Sequence, residues 1–310
     1  MAYSSTGLIE ATDYNNFLNG SNQLNTVWST GTGNAGYGQT ALTTVAAAGA
    51  VTATQWATLI TTLNSALTHQ SASGSGISTT TAGSTITWLS TLATNINTSY
   101  TNRLNKTTNA GAVQSSFSPN YTAAATAAAL TWTFTRTLTF ASGDAARYFF
   151  NAGGYFNFVT TSVANNDGGL RTGDWVTLLG TYFGNFTGIS ANGATGRSGT
   201  GGTTVTNATT TGYWQSGTVA ILLSSITATT YPYGGDYIQM KIRTNGIAGS
   251  GGTHADVGNI VYLDFTVYSG ALKDAVGNKQ INCTWNHRID VYPPESTNLT
   301  TNSWGTVTVS

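Results

Sequence analysis

The chain has 310 residues, of which only 7% are charged, and its eleven lysines and arginines balance its eleven aspartates and glutamates. This charge pattern excludes electrostatic capture of nucleic acid or of an anionic membrane. A hydrophobic fraction of 40%, with eight tryptophans, fifteen tyrosines and eleven phenylalanines, still predicts a folded core. The single cysteine, Cys283, excludes an intrachain disulfide. We expect neither a signal peptide nor a membrane span.

Helical periodicity dominates the first third of the chain. One helix is predicted over residues 12–28, with Thr12 as its cap and Gly20 weakening its middle. The stretch TATQWATLITTLNSALTHQ predicts a second helix, which ends near His69, where a cation suits the helix dipole. Its apolar face comprises Trp56, Leu59, Ile60, Leu63 and Leu67. The turn between the two helices is expected to place Tyr37 against Trp56 or Trp28.

A third helix is predicted over residues 84–104, and its apolar residues follow steps of three and four. Such steps are typical of a heptad seam, which can join copies of a chain. We therefore expect a homo-oligomer and favour a trimer. The candidate seam residues are Ile86, Leu89, Ala93, Ile96 and Tyr100.

After Thr107 the period changes to two, which is typical of half-buried strands. The alternation is clear in ALTWTFTRTLTF and returns in YIQMKIRT, NIVYLDFTVY and QINCTWNHRIDV. One helical insert is predicted near GDWVTLLGTYFG, with Asp174 as its cap and Trp175, Leu178, Leu179 and Tyr182 on one face. The expected fold is α+β, with a small helical attachment domain over residues 1–112 and an antiparallel, Ig-like β-sandwich over residues 113–310.

The most distinctive stretch, ASGDAARYFFNAGGYFNFV, is interpreted as a structural joint between two strands. We expect Ser142 to cap a single helical turn and Asp144 to pair with Arg147. The following phenylalanines should point to opposite sides, one of them toward a neighbouring subunit, and the glycine pair should allow positive φ. A ligand site of stacked aromatic rings is the alternative. The interface candidates here are Arg147, Phe149, Phe150, Asn151, Gly153 and Gly154.

Motifs that carry chemistry are weak. GTGNAG has the glycines of a dinucleotide fingerprint, but it follows a helix and lacks the later acidic residue, so no nucleotide site is predicted. The histidines His69, His254 and His287 lie far apart, and only His254 shares a loop with an acid, Asp256, so no metal site is predicted. The two glutamates, Glu10 and Glu295, fall near the chain ends. We predict no catalytic residue, no cofactor and no enzymatic activity.

Two stretches resemble virion structural proteins of tailed bacteriophages, particularly marine and cyanobacterial ones. They are ATDYNNFLNGSNQLNTVWSTGTGNAGYGQTAL with VTATQWATLITTLNSALTHQ, and the later DAARYFFNAGG. The resemblance covers about the first 70 residues and residues 140–185. It implies a virion protein assembled in the bacterial cytoplasm among other virion proteins, and we favour the tail, as a fibre, collar or baseplate component.

Three further functions remain compatible with the sequence. The chain could be a capsid decoration protein, or an enzyme that cleaves host polysaccharide. It could also be a receptor-binding module whose exposed aromatic residues bind a host surface glycan. The candidate glycan contacts are Tyr213, Trp214, Tyr231 and Tyr233.

Overall fold

The computed structural model describes residues 10–79, 81–107, 110–126, 128–183, 186–189, 213, 221–227, 235–247, 257–270 and 280–310. The helices are α1 (Ala11–Leu18), α2 (Leu24–Trp28), α3 (Ala53–Ser71), α4 (Leu89–Thr101), α5 (Gly143–Asn151) and α6 (Leu170–Thr177), and a π-helical stretch, Leu178–Phe183, follows α6. The strands are β1 (Val113–Phe117), β2 (Asn120–Ala123), β3 (Leu130–Thr139), β4 (Tyr155–Asn165), β5 (Phe186–Ile189), β6 (Ile221–Thr227), β7 (Tyr237–Thr244), β8 (Ile260–Ser269), β9 (Ile281–Tyr292) and β10 (Thr308–Val309).

The first predicted helix is two helices, because the chain breaks between α1 and α2. Gly20 lies in the break with φ +146°, which a residue with a side chain rarely adopts. The predicted Thr12 cap is also wrong. Glu10 is the N-cap, and its backbone N–H donates to the Asp13 carboxylate at 3.0 Å.

The second predicted helix is confirmed as α3. Thr52 caps it by accepting a hydrogen bond from the Gln55 backbone N–H at 3.2 Å. All five predicted apolar residues of this helix are buried. They form the centre of the helical part of the core, where Trp56 contacts Tyr14 and Trp88 edge to face.

The third helix, α4, is shorter than predicted and buries a different face. Its buried side chains are Leu92, Ile96 and Ser99. Among the candidate seam residues only Ile96 is buried, and the other four are half-buried and pack against the core of the same chain: Ile86, Leu89, Ala93 and Tyr100. The seam therefore contributes to intrachain packing, and its contact with other copies stays a prediction.

Two antiparallel sheets follow the helices. In one, β9 lies between β4 and the consecutive strands β1 and β2, and β5 extends the sheet beyond β4. In the other, the order is β10-β3-β8-β7-β6. Their inward faces meet through aromatic rings: Phe134 lies 5.5 Å from Trp285 and Phe158 lies 5.0 Å from Phe265 between ring centroids.

The predicted α+β class and the period-two strands are confirmed. Side chains alternate between buried and half-buried along β7, β8 and β9, which keeps every second residue in the core. The buried residues of the helices and the sheets form one contiguous hydrophobic cluster. A boundary after residue 112 therefore stays a prediction about the chain's organisation.

The predicted insert is helical, but Asp174 does not cap it. α6 begins at Leu170 after the N-cap Gly169, which places Asp174 inside the helix. Trp175, Leu178 and Leu179 are buried as predicted, whereas the side chain of Tyr182 lies outside the described part. None of the described helices combines the length and the apolar character that crossing a bilayer requires.

Candidate functional site: two buried polar clusters

The distinctive aromatic stretch forms a complete helix, α5, rather than a single turn. Its predicted cap is confirmed, since the Ala145 backbone N–H donates to Ser142 Oγ at 3.0 Å. The expected orientation of the phenylalanines is wrong. Phe149 and Phe150 are both fully buried, with ring centroids 5.0 Å apart, and both contact Phe140. Neither ring is available to a neighbouring subunit.

Arg147 on α5 joins the helix to a distant loop, residues 29–38, which we call the glycine loop. Its Nη1 donates to the backbone oxygens of Thr30 and Ala35, the latter at 2.8 Å. Its Nη2 donates to Asp144 Oδ1 at 2.9 Å, which confirms the predicted pair. Arg147 is 3% exposed, so the guanidinium is a buried connection between the two parts of the chain.

Asn151, one turn further along α5, completes this connection. Its Nδ2 donates to the backbone oxygens of Gly33 at 2.9 Å and Ala35 at 3.0 Å. Its Oδ1 accepts from the Tyr213 backbone N–H at 2.9 Å. A local bond from Asn151 to the backbone near the glycine pair would suit its position in the sequence, but its amide instead holds three distant segments together.

The glycine loop is shaped to present carbonyl oxygens to these donors. Gly31, Gly33 and Gly36 all have positive φ, at +47°, +59° and +95°. A Cβ at Gly36 would clash with the backbone oxygen of Thr30, so this glycine is required by close packing as well as by its φ. The GTGNAG motif thus serves the contact with α5.

Residues 293–310, the C-terminal segment, contact the end of the same loop and the next residue, Gln39, from another side. Gln39 Nε2 donates to the Thr301 backbone oxygen at 2.7 Å, and its Oε1 accepts from the Thr301 backbone N–H at 2.8 Å. The Ser303 hydroxyl donates to the backbone oxygen of Gly38. We call the glycine loop, α5 and the C-terminal segment together the junction.

His69 and Glu295 form a buried pair beside the junction, with Nδ1 and Oε1 3.0 Å apart. His69 lies in the last turn of α3, as predicted, but it is fully buried and its ring is bonded to Glu295. Burial by itself raises the pKa of Glu295. Hydrogen bonds from His69, Asn298 and Thr297 outweigh burial and hold this pKa at about 2.

Tyr37 packs against His69, with ring centroids 5.2 Å apart, rather than against either expected tryptophan. Its hydroxyl donates to the Arg103 backbone oxygen at 2.7 Å and accepts from Gln70 Nε2 at 2.8 Å. Complete burial raises the pKa of this phenol. The His-Gln end of α3 and the Gly-Tyr-Gly-Gln turn are therefore parts of one network.

The glycine pair after α5 behaves as predicted. Gly153 has φ +88°, and a Cβ at Gly154 would lie 2.6 Å from the Phe149 ring. Both positions therefore require glycine, and they let the chain leave α5 and enter β4.

Of the four candidate glycan contacts, only Tyr213 belongs to the described residues, and its predicted exposure is wrong. It is 2% exposed, and its hydroxyl donates to the Gly258 backbone oxygen at 3.1 Å. Trp214, Tyr231 and Tyr233 lie outside the described residues, as do His254 and Asp256.

The second cluster surrounds Arg171 on α6, which is fully buried. Its Nε donates to Ser269 Oγ at 3.0 Å. The two Nη atoms donate to the backbone oxygens of Thr126 at 2.9 Å, Ala128 at 3.2 Å and Gly270 at 2.9 Å. One guanidinium thus joins α6 to the segment before β3 and to the end of β8.

Two carboxyl groups complete this cluster. Asp236 Oδ2 accepts from Ser269 Oγ at 2.6 Å, and its Oδ1 accepts from the Gly270 backbone N–H at 2.9 Å. Burial, the neighbouring Asp236 charge and a hydrogen bond to Asp236 raise the pKa of Asp174 to about 7. The pKa of Asp236 is also raised, mainly by burial. The pair is therefore expected to share a proton at neutral pH.

No pattern in the sequence points to Arg171, Asp236 or Ser269, because their spacing along the chain contains no motif. The Ser269 hydroxyl is fully buried, accepts from Arg171 and donates to Asp236. The cluster therefore fixes the chain before β3, before β7 and after β8.

His287 lies elsewhere, between the sheets. Burial holds its pKa at about 4, and Arg136 Nε donates to its Nε2 at 3.0 Å.

Within the described ranges, no three histidine, cysteine or acidic residues are grouped so that they could hold a metal ion. Comparison of the chain with protein-family models, with curated proteins and with solved structures found no match.

Proposed function

We propose that the chain is a non-enzymatic structural component of a tailed-bacteriophage virion. We favour a position on the tail, in a fibre, collar or baseplate. In this proposal the helical part docks on the particle, and the sheets form an outer, Ig-like β-sandwich.

The observation that carries the proposal is the junction. Both stretches that resemble virion proteins contribute residues to it, and the side chains of the second bind the backbone of the first. Arg147 and Asn151 from the second stretch donate to Thr30, Gly33 and Ala35 of the first. Residues used this way build a rigid connection between an attachment part and an outer part.

The partners in this proposal are other virion proteins and further copies of the chain, and we favour a trimer. The nearly uncharged composition suits assembly through packing and backbone pairing. The protein would be assembled in the bacterial cytoplasm and retained in the particle.

The test is to locate the protein on purified particles. Phage carrying the gene is propagated, purified on a density gradient and labelled with gold-tagged antibody raised against the purified chain. We expect the chain to sediment with the particles and the label to mark the tail. A chain found only in the soluble lysate would refute the proposal, and a label over the capsid would favour decoration.

Two assays on the purified chain test for receptor binding and for polysaccharide cleavage. Retention on an array of host surface glycans would favour receptor binding. Release of sugar from host envelope at high protein concentration would favour a polysaccharide-cleaving enzyme. We expect neither signal.

A further inference from the structure

One edge of β3 is left largely uncovered by the described strands. On one side it pairs with β8 over its whole length, from Leu130 to Thr139. On the other side only Leu138 and Thr139 pair with β10, and Thr137 exchanges backbone bonds with Ser310. Residues 130–136 have no strand partner on that side within the described part of the chain.

The backbone direction shows which groups face this edge. Thr137 directs both its N–H and its C=O toward Ser310, at 2.8 and 3.0 Å. Because backbone groups alternate along an antiparallel strand, those of Thr131, Thr133 and Thr135 face the same side. The Thr131 oxygen also accepts from Tyr121 Oη at 3.4 Å, which leaves it one further lone pair.

Other sheet edges carry features that block strand addition. The edge formed by β1 and β2 is interrupted at Pro119, β5 has only four residues, and the pairing of β6 shifts register between Leu222 and Ser224. β3 has ten residues, contains no proline and pairs with β8 without a shift. Its solvent-facing side chains at the uncovered edge are the exposed threonines Thr131, Thr133 and Thr135.

We propose that this edge binds the same edge of a second copy of the chain, antiparallel and with a two-fold axis at Thr133. The uncovered residues centre on Thr133, so this register pairs Thr133 with Thr133 and Thr131 with Thr135. In each copy the pairing ends before Thr137, where Ser310 and β10 already occupy this edge of β3. A two-fold interface must be self-complementary, and threonine pairs across strands meet that requirement.

Charge does not oppose this arrangement. The one charged residue of the stretch, Arg136, faces inward, where its guanidinium lies 4.1 Å from the Phe117 ring and donates to His287. On the outer face of β8, Asp264 is paired with Arg243 at 2.6 Å. The two copies would join their β3-containing sheets into one continuous sheet.

This inference supplies a surface for the self-association in the proposed function. Its test measures mass in solution and not attachment to particles, so either can fail without the other. A trimer built through α4 could also pair through β3, which would double its mass.

The experiment is light scattering on the full-length chain and on Thr133→Lys, Thr133→Glu and an equimolar mixture of these two variants. Like charges would oppose each other across the axis, so each variant alone should have half the mass of the wild type. The mixture should restore that mass, because Lys then opposes Glu. Thr177→Lys, at an exposed threonine of α6, is the control and should keep the wild-type mass.

A second variant, Thr133→Cys, tests the same register by cross-linking. Directly opposed, hydrogen-bonded residues have Cα atoms about 5.5 Å apart, which suits a disulfide. The native Cys283 is buried, so oxidation should give a covalent dimer with Thr133→Cys and none with Thr177→Cys. Equal masses for wild type and both charged variants, or no cross-link at residue 133, would overturn the proposal.

Discussion

Arg147 and Arg171 are both buried arginines that bind backbone oxygens, but their charges are balanced in different ways. Arg147 has a carboxylate three residues away on the same helix, and that Asp144 side chain is 61% exposed. Arg171 is linked to the Asp236 carboxylate through the Ser269 hydroxyl, and Asp236 is 2% exposed.

The difference shows how each cluster depends on the rest of the fold. The charge of Arg147 is partly balanced before the tertiary structure forms, because Asp144 lies on the same turn of α5. The environment of Arg171 exists only after α6, β7 and the end of β8 have come together. We therefore expect the Arg171 cluster to be the less tolerant of change.

The largest effect is expected from Arg171→Met. It removes the donor to three backbone oxygens and leaves the buried Asp236 and the half-buried Asp174 without the charge of Arg171, so we expect unfolding to become easier by about 4 kcal/mol. Arg147→Met should lower the free energy of unfolding by about 3 kcal/mol. This loss is smaller than for Arg171→Met because water can solvate the exposed Asp144 carboxylate once its partner is gone. Arg243→Met, at a partly exposed pair, is the control and should cost less than about 1 kcal/mol. Urea unfolding of the three variants gives the order, and an Arg147 loss larger than the Arg171 loss would contradict it.

A smaller effect is expected from Gly36→Ala, which acts on the junction alone. The alanine Cβ would meet the Thr30 backbone oxygen at a residue with φ +95°, so we expect a loss of about 2–3 kcal/mol. Gly305→Ala is the matched control, since Gly305 has φ +65° and open space around its Cβ position. It should cost about 1 kcal/mol. Equal shifts in thermal unfolding would show that the glycine loop is loosely packed.

The sequence predicted what short-range patterns determine. The face of α3, the alternation along β7, β8 and β9, the Ser142 cap and the Asp144–Arg147 pair all follow from spacings of two to four residues. Positive φ at Gly153 was predictable for the same reason. The break at Gly20 was visible only as a weakness, because a glycine can either remain in a helix or end it.

The long-range contacts in and beside the junction were not predictable from one sequence. His69 and Glu295 are distant in sequence, as are Asn151 and Tyr213, and nothing local distinguishes these residues from others of their type. Tyr213 was expected on the surface because its surroundings are polar and rich in glycine. Its burial depends on Asn151 and Gly258, which the fold alone brings to it.

The smallest expected effect is a dependence of stability on pH. It arises from the Asp174–Asp236 pair, which belongs to the Arg171 cluster and has no counterpart around Arg147. The pKa of Asp174 is raised from 3.8 to about 7, so between these values the folded chain keeps a proton that the unfolded chain releases. Stability from this group is therefore present below about pH 4 and is lost as pH rises toward 7. Asp174→Asn mimics the protonated acid and should remove this loss, which we expect to be on the order of 1–2 kcal/mol because the side chain is partly exposed.

The measurement is urea unfolding of the wild type and Asp174→Asn at intervals from pH 4 to pH 8. His287, whose pKa is lowered to about 4, gives the opposite slope, with stability gained as pH rises toward 6.5. That contribution is common to both proteins and cancels in their difference. Relative to the wild type, Asp174→Asn should gain stability steadily up to pH 7 and then level off. Parallel curves for Asp174→Asn and the wild type would mean that Asp174 is ionised in the folded chain, and Arg171 would then balance two negative charges.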